Sequence, residues 1–156
     1  MERRDEAGFS LIELMIVVTI IGIIASIAIP NLMASRRAAN EASAQQSLRT
    51  ISSCEATYLQ TEGNGSYTDL PGLGANTLTD SLLSSGSKSG YTFVINPVTG
   101  ASAQYWAYAV PITTSGMGQT GTRRFGITED GVLRGDATLS PPADEAELKT
   151  MNPLGN

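Results

Sequence analysis

From Phe9 to Ile29 the chain is apolar except at Ser10, Glu13, Thr19, Gly22 and Ser26. The apolar positions follow no 3.6-residue stripe, so a helix built from them is hydrophobic all round and suits a buried or membrane setting. Twenty-one residues make a helix of about 31 Å, against a bilayer hydrocarbon core of about 30 Å. After Pro30 the pattern changes. Residues 31–62 are rich in Ala, Gln, Arg, Glu and Leu, which favour helix. Leu48, Ile51, Tyr58 and Leu59 fall near one stripe, with Cys54 between them. Gly63-Asn64-Gly65 is a strong stop. The pattern predicts one helix from Phe9 to Thr61, about 80 Å long. It is a membrane span for residues 9–30 and an amphipathic half for residues 31–62.

Beyond residue 63 the period changes to two. Tyr91, Phe93 and Ile95 alternate with Thr92 and Val94; Trp106, Tyr108 and Val110 alternate with Tyr105, Ala107 and Ala109. "RRFGIT" (123–128) and "GVLRG" (131–135) read as two further strands, with a tight turn at Glu129-Asp130-Gly131. Residues 66–90 read as a connection with a short helix near Thr77 to Leu83, and the tail carries a short helix around Asp144 to Lys149. Residues 63–156 are too few for a large core of their own. The predicted fold is α+β: a long N-terminal helix packed against a small head built as a meander of about four antiparallel strands.

Composition narrows the chemistry. Charged residues are 16% of the chain, against about 25% in an ordinary soluble domain. The net charge is −5 with acids and bases scattered, so no basic face points to nucleic acid. Histidine is absent, which removes Ser-His-Asp and Cys-His nucleophile systems and histidine metal sites. Cys54 is the single cysteine, so no disulfide closes within the chain. No Gly-rich loop has a phosphate- or dinucleotide-binding pattern. The sequence predicts no cofactor, no metal and no catalytic residue.

Glu13 is the anomaly. A carboxylate inside a span is costly, and by default it marks a functional site whose partner should be named. A cut between Gly8 and Phe9 would create an ammonium at Phe9, four residues from Glu13 and on the same helix face. An ammonium is unfavourably placed at a helix N-terminus, so a nearby carboxylate helps it. Pairing within one chain and pairing between neighbouring chains are both open. A cleaved secretory signal is the rival reading, with "ASIA" (25–28) as its small-residue cleavage site. Glu13 in the apolar run and a leader whose Arg3 and Arg4 are diluted by three acids argue against it. Basic residues do not fix an orientation, since Arg3 and Arg4 precede the span and Arg36 and Arg37 follow it.

Gly8, Phe9, Glu13 and Pro30, set in "GFSLIELMIVVTIIGIIASIAIP", resemble the processing signal of type IV pilins and the pseudopilins of type II secretion. The resemblance covers roughly residues 1–60. It implies a leader, residues 1–8, removed after Gly8 by a membrane prepilin peptidase, and N-methylation of the new terminus at Phe9. It implies that Glu13 is the assembly carboxylate meeting a neighbour's Phe9 amine, and that the Gly22–Pro30 segment stretches or melts when subunits pack. Implied partners are further copies of the chain, the peptidase, an inner-membrane assembly platform and, before assembly, membrane lipid. The implied location is the bacterial inner membrane as a single-pass protein, then an extracellular pilus or a periplasmic pseudopilus. The leader is less basic than the family usually shows.

Two further features invite chemistry. Asn64-Gly65-Ser66 is a glycosylation sequon, and it doubles as a helix terminator. Asp130, Asp136, Asp144 and Glu145 are oxygen donors in the region where some pseudopilins bind calcium, but their spacing matches no calcium loop. Three functions remain in competition. The first is a pilin that polymerises into a type IV pilus; the second, the major pseudopilin of a secretion system; the third, a membrane-tethered binding or enzymatic head.

Overall fold

The computed structural model describes residues 9–98, 100 and 103–155. The chain divides into two compact units, one ending at Ser35 and one running from Arg36 to Asn156. Helix α1 spans Leu11–Gln60, 50 residues, and continues unbroken through Pro30. Its end is set by the predicted stop. The Gly63 N–H donates to the Tyr58 carbonyl at 2.7 Å, and Asn64 and Gly65 take positive φ of 46° and 86°, the left-handed turn that closes a helix.

In the first unit the helix has no core to join. Phe9, Leu11, Ile12 and the other large apolar residues as far as Leu32 are exposed. No residue of its most apolar window is buried, and the helix is long and apolar enough to cross a membrane.

The second unit is the α+β head. After α1 come α2 (Leu70–Ala75) and α3 (Ser81–Ser84), then β1 (Ser87–Lys88), β2 (Tyr91–Val98), β3 (Gln104–Pro111), β4 (Arg124–Thr128), β5 (Arg134–Asp136), α4 (Glu145–Thr150) and β6 (Asn152–Pro153). The six strands form one antiparallel sheet in sequence order. The expected meander is present, with two strands more than the sequence pattern suggested. Both additions are two residues long, too short for alternation to register. β1 joins β2 through Ser89-Gly90, with φ of 50° and 75°; positive φ at both positions is the mark of a two-residue hairpin turn. One short helix expected near Thr77 to Leu83 resolves into two, capped by Asp69 and Asp80, whose carboxylates accept from the Gly72 and Leu83 amides. The strand expected at Gly131 begins later, at Arg134, because Asp130 folds residues 129–133 into a loop by accepting from the Val132 N–H. The tail helix lies where expected, capped by Asp144.

The core forms between one face of α1 and one face of the sheet. Ala44, Leu48 and Ile51 of the helix cluster with Phe93 and Ile95 of β2, Ala107 and Ala109 of β3, and Phe125 and Ile127 of β4. Along β3 the small residues and Tyr105 face inward, while Trp106 and Tyr108 stack on each other on the half-buried face, ring centroids 5.6 Å apart. α4 covers β4 on that outer face. Leu148 occupies the space a side chain at Gly126 would need: a Cβ there would lie 2.6 Å from it.

Candidate assembly site and the buried acids of the first helix

The start of α1 is a capping box. Glu13 Oε2 accepts from the Ser10 N–H at 2.8 Å and from the Ser10 hydroxyl at 2.7 Å, and the Glu13 N–H donates to Ser10 Oγ at 3.3 Å. Such reciprocal pairing satisfies amides left bare at a helix start. The S-x-x-E spacing was readable in "SLIE" and is a local role for Glu13 that membrane reasoning passed over. Among the described residues every side-chain hydrogen bond of Glu13 is with Ser10, three residues away, and Phe9 near it is 83% exposed. Gly8, the cleavage candidate, and the leader lie outside the described residues.

The other marked positions of the span are equally free of their own chain. A side chain at Gly22 would meet nothing within 4 Å. Pro30 sits inside an intact helical run, and the Ser26 hydroxyl one turn before it donates back to the Ile23 carbonyl at 2.8 Å. Asn64 is exposed and in the left-handed conformation of the helix terminator.

The second half of α1 carries two acids absent from the expected stripe. The buried face reads Glu41, Ala44, Leu48, Ile51 and Glu55, with Ser47 and Cys54 beside it; Tyr58 packs on its edge. The spacing of three and four residues is an ordinary helical face. Reading only apolar letters cut it short at its start, before Leu48, and passed over Glu55 within it. Glu41 is well supplied. Oε1 accepts from the Thr122 N–H at 2.8 Å and its hydroxyl at 2.7 Å, and Oε2 accepts from Arg123 Nε at 3.0 Å. Burial alone would raise its pKa, but the hydrogen bonds from Thr122 and Arg123 outweigh burial and hold it below the usual carboxylate range. Glu55 is fully buried. Oε2 accepts only the Thr68 N–H, at 3.2 Å, and Oε1 has no partner. Burial, with a smaller push from Asp69, raises it to about 7.

The carboxylates considered for calcium are engaged with protein groups. Asp130 accepts from Arg134 and from the Thr128 hydroxyl, Asp144 caps α4 and Glu145 pairs with Lys149. Asp136 takes a two-pronged contact from Arg124, Nε to Oδ1 at 3.0 Å and Nη2 to Oδ2 at 2.9 Å. Arg124 is 3% exposed. It also donates to Glu147 Oε1 at 2.6 Å and to the Ser140 carbonyl at 3.0 Å. One buried guanidinium thus ties the tail and α4 to the central sheet, in a chain whose lone cysteine cannot do so. Cys54 is buried and its thiol donates to the Leu78 carbonyl at 2.9 Å.

A groove of about 280 Å³ lies between α2 and β2, lined by Leu70, Pro71, Phe93 and Ile95 among others. Its one carboxylate, Asp69, is the cap of α2. The groove therefore brings together no acid–base pair.

Residues 3–29 match the family described as the prokaryotic N-terminal methylation motif. Core protein G of the type II secretion system of Aeromonas hydrophila is 44% identical over 41 residues, 26% of this chain and 29% of that protein. The type IV wide pilus major component PilA4 of Thermus thermophilus is 55% identical over 38 residues, 24% of this chain and 29% of that protein. The chain thus spans under a third of the length of these relatives. No solved structure gives a significant match.

Proposed function

We propose, from the N-terminal methylation motif and the likeness of the first helix to core protein G and PilA4, that the chain is a structural subunit of the pilin and pseudopilin kind that polymerises through the first half of α1. The observation that carries this is a span exposed on every side, with a carboxylate that no cation among the described residues pairs. On this reading the leader is removed after Gly8, Phe9 becomes the methylated N-terminus, and Glu13 meets the Phe9 ammonium of a neighbour. Glu13 Oε2 is already held by Ser10, which fixes the carboxylate's rotamer before a partner arrives. The uncut chain has no ammonium at Phe9, so processing gates assembly.

Gly22 and Pro30 fit the same reading. Nothing in the chain itself needs a missing side chain at Gly22, whereas small residues let neighbouring helices approach closely. Pro30 removes the hydrogen bond to the Ser26 carbonyl, which gives the segment between Gly22 and Pro30 a place to stretch on packing. The filament is a type IV pilus in the first instance; a periplasmic pseudopilus of type II secretion is the second reading, favoured by the match to core protein G. Asn64, exposed beyond the helix, is the position open to glycosylation.

The deciding experiment is N-terminal sequencing with intact mass on protein recovered from membranes. We expect a start at Phe9 carrying one methyl group. A start at Ile29 would identify an ordinary secretory signal and overturn the subunit reading. Surface filaments under electron microscopy then separate pilus from pseudopilus.

A further inference from the structure

The chain pairs its cations unevenly. Lys88, Arg123, Arg124, Arg134 and Lys149, the cations beyond α1, each meet a carboxylate within 3.4 Å. Among the described residues, Arg36, Arg37 and Arg49 on α1 meet none. Arg36 and Arg37 are neighbours, and the groups that the next helical turn offers them are engaged elsewhere. Glu41, four residues after Arg37 and so within reach of it, gives Oε1 to Thr122 and Oε2 to Arg123. Asn40, four residues after Arg36, donates its amide to the Thr120 carbonyl at 2.9 Å. The fold turns the nearest carboxylate of the helix into the head and leaves two guanidiniums bare, Arg36 exposed and Arg37 half-buried.

Their place on the helix says what answers them. Leu32 and Met33 are the last large apolar residues of the run that begins at Phe9, and Leu32 is 69% exposed. Arg36 and Arg37 each follow one of them by four residues, about 6 Å along the axis and on the same helix faces. The polar layer of a bilayer extends about 5–7 Å beyond the hydrocarbon on each side. Helical side chains lean toward the N-terminus, which draws both guanidiniums back toward the span. At such a boundary a long cationic side chain lays its stem on apolar surface and its head among polar groups. The acceptor available there is a phosphate diester, which a guanidinium meets with two parallel hydrogen bonds. Resting on the membrane-anchored reading of α1, we propose that Arg36 and Arg37 form a binding site for the phosphate of an anionic lipid, which sets the depth of the unassembled subunit. Arg49, equally unpaired, lies 12 residues beyond Arg37, about 18 Å farther along the helix and outside that layer. A carboxylate of a second copy is the competing occupant, and the head has few to offer. Beyond the span, the described acids outside ion pairs are Glu55, Glu62, Asp69 and Asp144. Glu55 is buried, and Asp69 and Asp144 cap α2 and α4, so Glu62 alone is left for three arginines.

The test is electron spin resonance on the full chain reconstituted in phosphatidylcholine bilayers, with spin-labelled phosphatidylglycerol or spin-labelled phosphatidylcholine as the probe. The readout is the preference, the ratio of the two lipids' association with the chain. We expect wild type to prefer the anionic lipid at least about fivefold, the effect of one arginine near the surface. Arg36→Gln with Arg37→Gln should reduce the preference by that factor or more, and Arg49→Gln should leave it unchanged. Arg36→Lys with Arg37→Lys should retain most of it, since phosphate also accepts an ammonium. Residues 1–8 are common to every variant, so differences between variants read the substituted positions. Equal preference in wild type and the double glutamine variant overturns the site. A loss in Arg49→Gln as large as in the double variant also overturns it, because net charge alone would then be acting. So does an equal loss in the lysine variant, which would make the effect one of packing. If the glutamine variant does not insert, wild type in 1 M salt decides: screening to about 3 Å should bring the preference toward one, and a preference that ignores salt overturns the site. Processing is read separately. A start at Ile29 removes the span and the subunit reading together, whereas a chain that starts at Phe9 without lipid preference overturns this site alone.

Discussion

The two halves of α1 are made of one continuous helix, yet they use their side chains in opposite ways. Up to Ser35 nearly every apolar residue faces outward, and the one acid, Glu13, bonds only to Ser10. From Arg36 onward a single stripe is buried, and its acids are answered by groups up to 82 residues away in sequence, as Arg123 answers Glu41. The same residue type therefore means different things along one helix. Glu41 is completed by its own chain, Glu55 is half completed, and Glu13, among the described residues, bonds only within its own helix turn. The information in the first half concerns lipid and other copies; that in the second concerns the chain's own fold.

The largest effect should come from breaking that division at Glu13. Glu13→Leu should abolish sheared filaments while leaving total membrane-bound subunit intact, because removal of a charge favours insertion. Glu13→Gln keeps the Ser10 hydrogen bonds and loses the charge, so it should behave like Leu if ion pairing drives assembly. The head's melting temperature should be unchanged in both, since Glu13 bonds to no residue of the head. Normal filament yield from Glu13→Leu, with processing at Phe9 intact, would remove the carboxylate from the assembly mechanism.

Arg124→Met is the corresponding break in the second unit. It strips a buried cation from Asp136, Glu147 and the Ser140 carbonyl. Breaking a buried pair from one side costs about 3–5 kcal/mol, and the partly exposed acids put the loss at the lower end. Arg124→Lys should not rescue it, because an ammonium cannot make the two-pronged contact to Asp136. Thermal melts of the head read the loss. A drop under about 1 kcal/mol would return the tail's attachment to apolar packing alone.

Legibility in the sequence follows the same division. In the first half the long apolar helix was legible, since a span announces itself in one dimension, whereas the Ser10–Glu13 box was passed over. The strands with clean alternation, β2 and β3, were read with their starts, and both run on past the alternating residues, to Val98 and Pro111. What escaped was everything fixed by distant partners. Glu41 and Glu55 left no mark in the apolar pattern, because Thr122, Arg123 and Thr68, which bond to them, lie elsewhere in sequence. Arg124 carried no signal in its own strand, because its partners Asp136 and Glu147 lie in β5 and α4. β1 and β6 have two residues each and no period to show.

Stability against pH should carry both classes of buried acid. Glu41, Asp130 and Asp136 have lowered pKa values, Asp130 to about 2. Their contribution is whole above the unfolded values near 4 and is lost as the pH falls toward 2. Glu55 is raised to about 7, so the folded state binds its proton more tightly; stability is whole below about 4.5 and declines as the pH rises to 7. The head should therefore be most stable near pH 4.5. It should lose at most about 3 kcal/mol by pH 8, less to the extent that water reaches the carboxylate. Glu55→Gln should flatten the alkaline limb and leave the acid limb unchanged. Denaturant melts at pH 4.5, 6 and 8 measure both limbs, and a wild-type alkaline limb as flat as the variant's would mean that Glu55 is ionised at no cost.

The smallest effect tests whether the tail is a unit with the sheet or an appendage. Asp144 Oδ1 accepts the Glu147 N–H at 2.8 Å, and Glu147 in turn accepts from the Ala143 N–H at 2.7 Å and from Arg124. The cap thus orients the residue that Arg124 reaches. Loss of an aspartate cap costs about 1 kcal/mol, so Asp144→Ala should lower head stability by about that amount and filament yield not at all. Its sharper use is in combination. If the cap acts through Glu147, Asp144→Ala in an Arg124→Met background should cost clearly less than alone, a coupling of at least about 0.5 kcal/mol. Strict additivity would separate α4's cap from the guanidinium and leave Asp136 as the acid that matters to it.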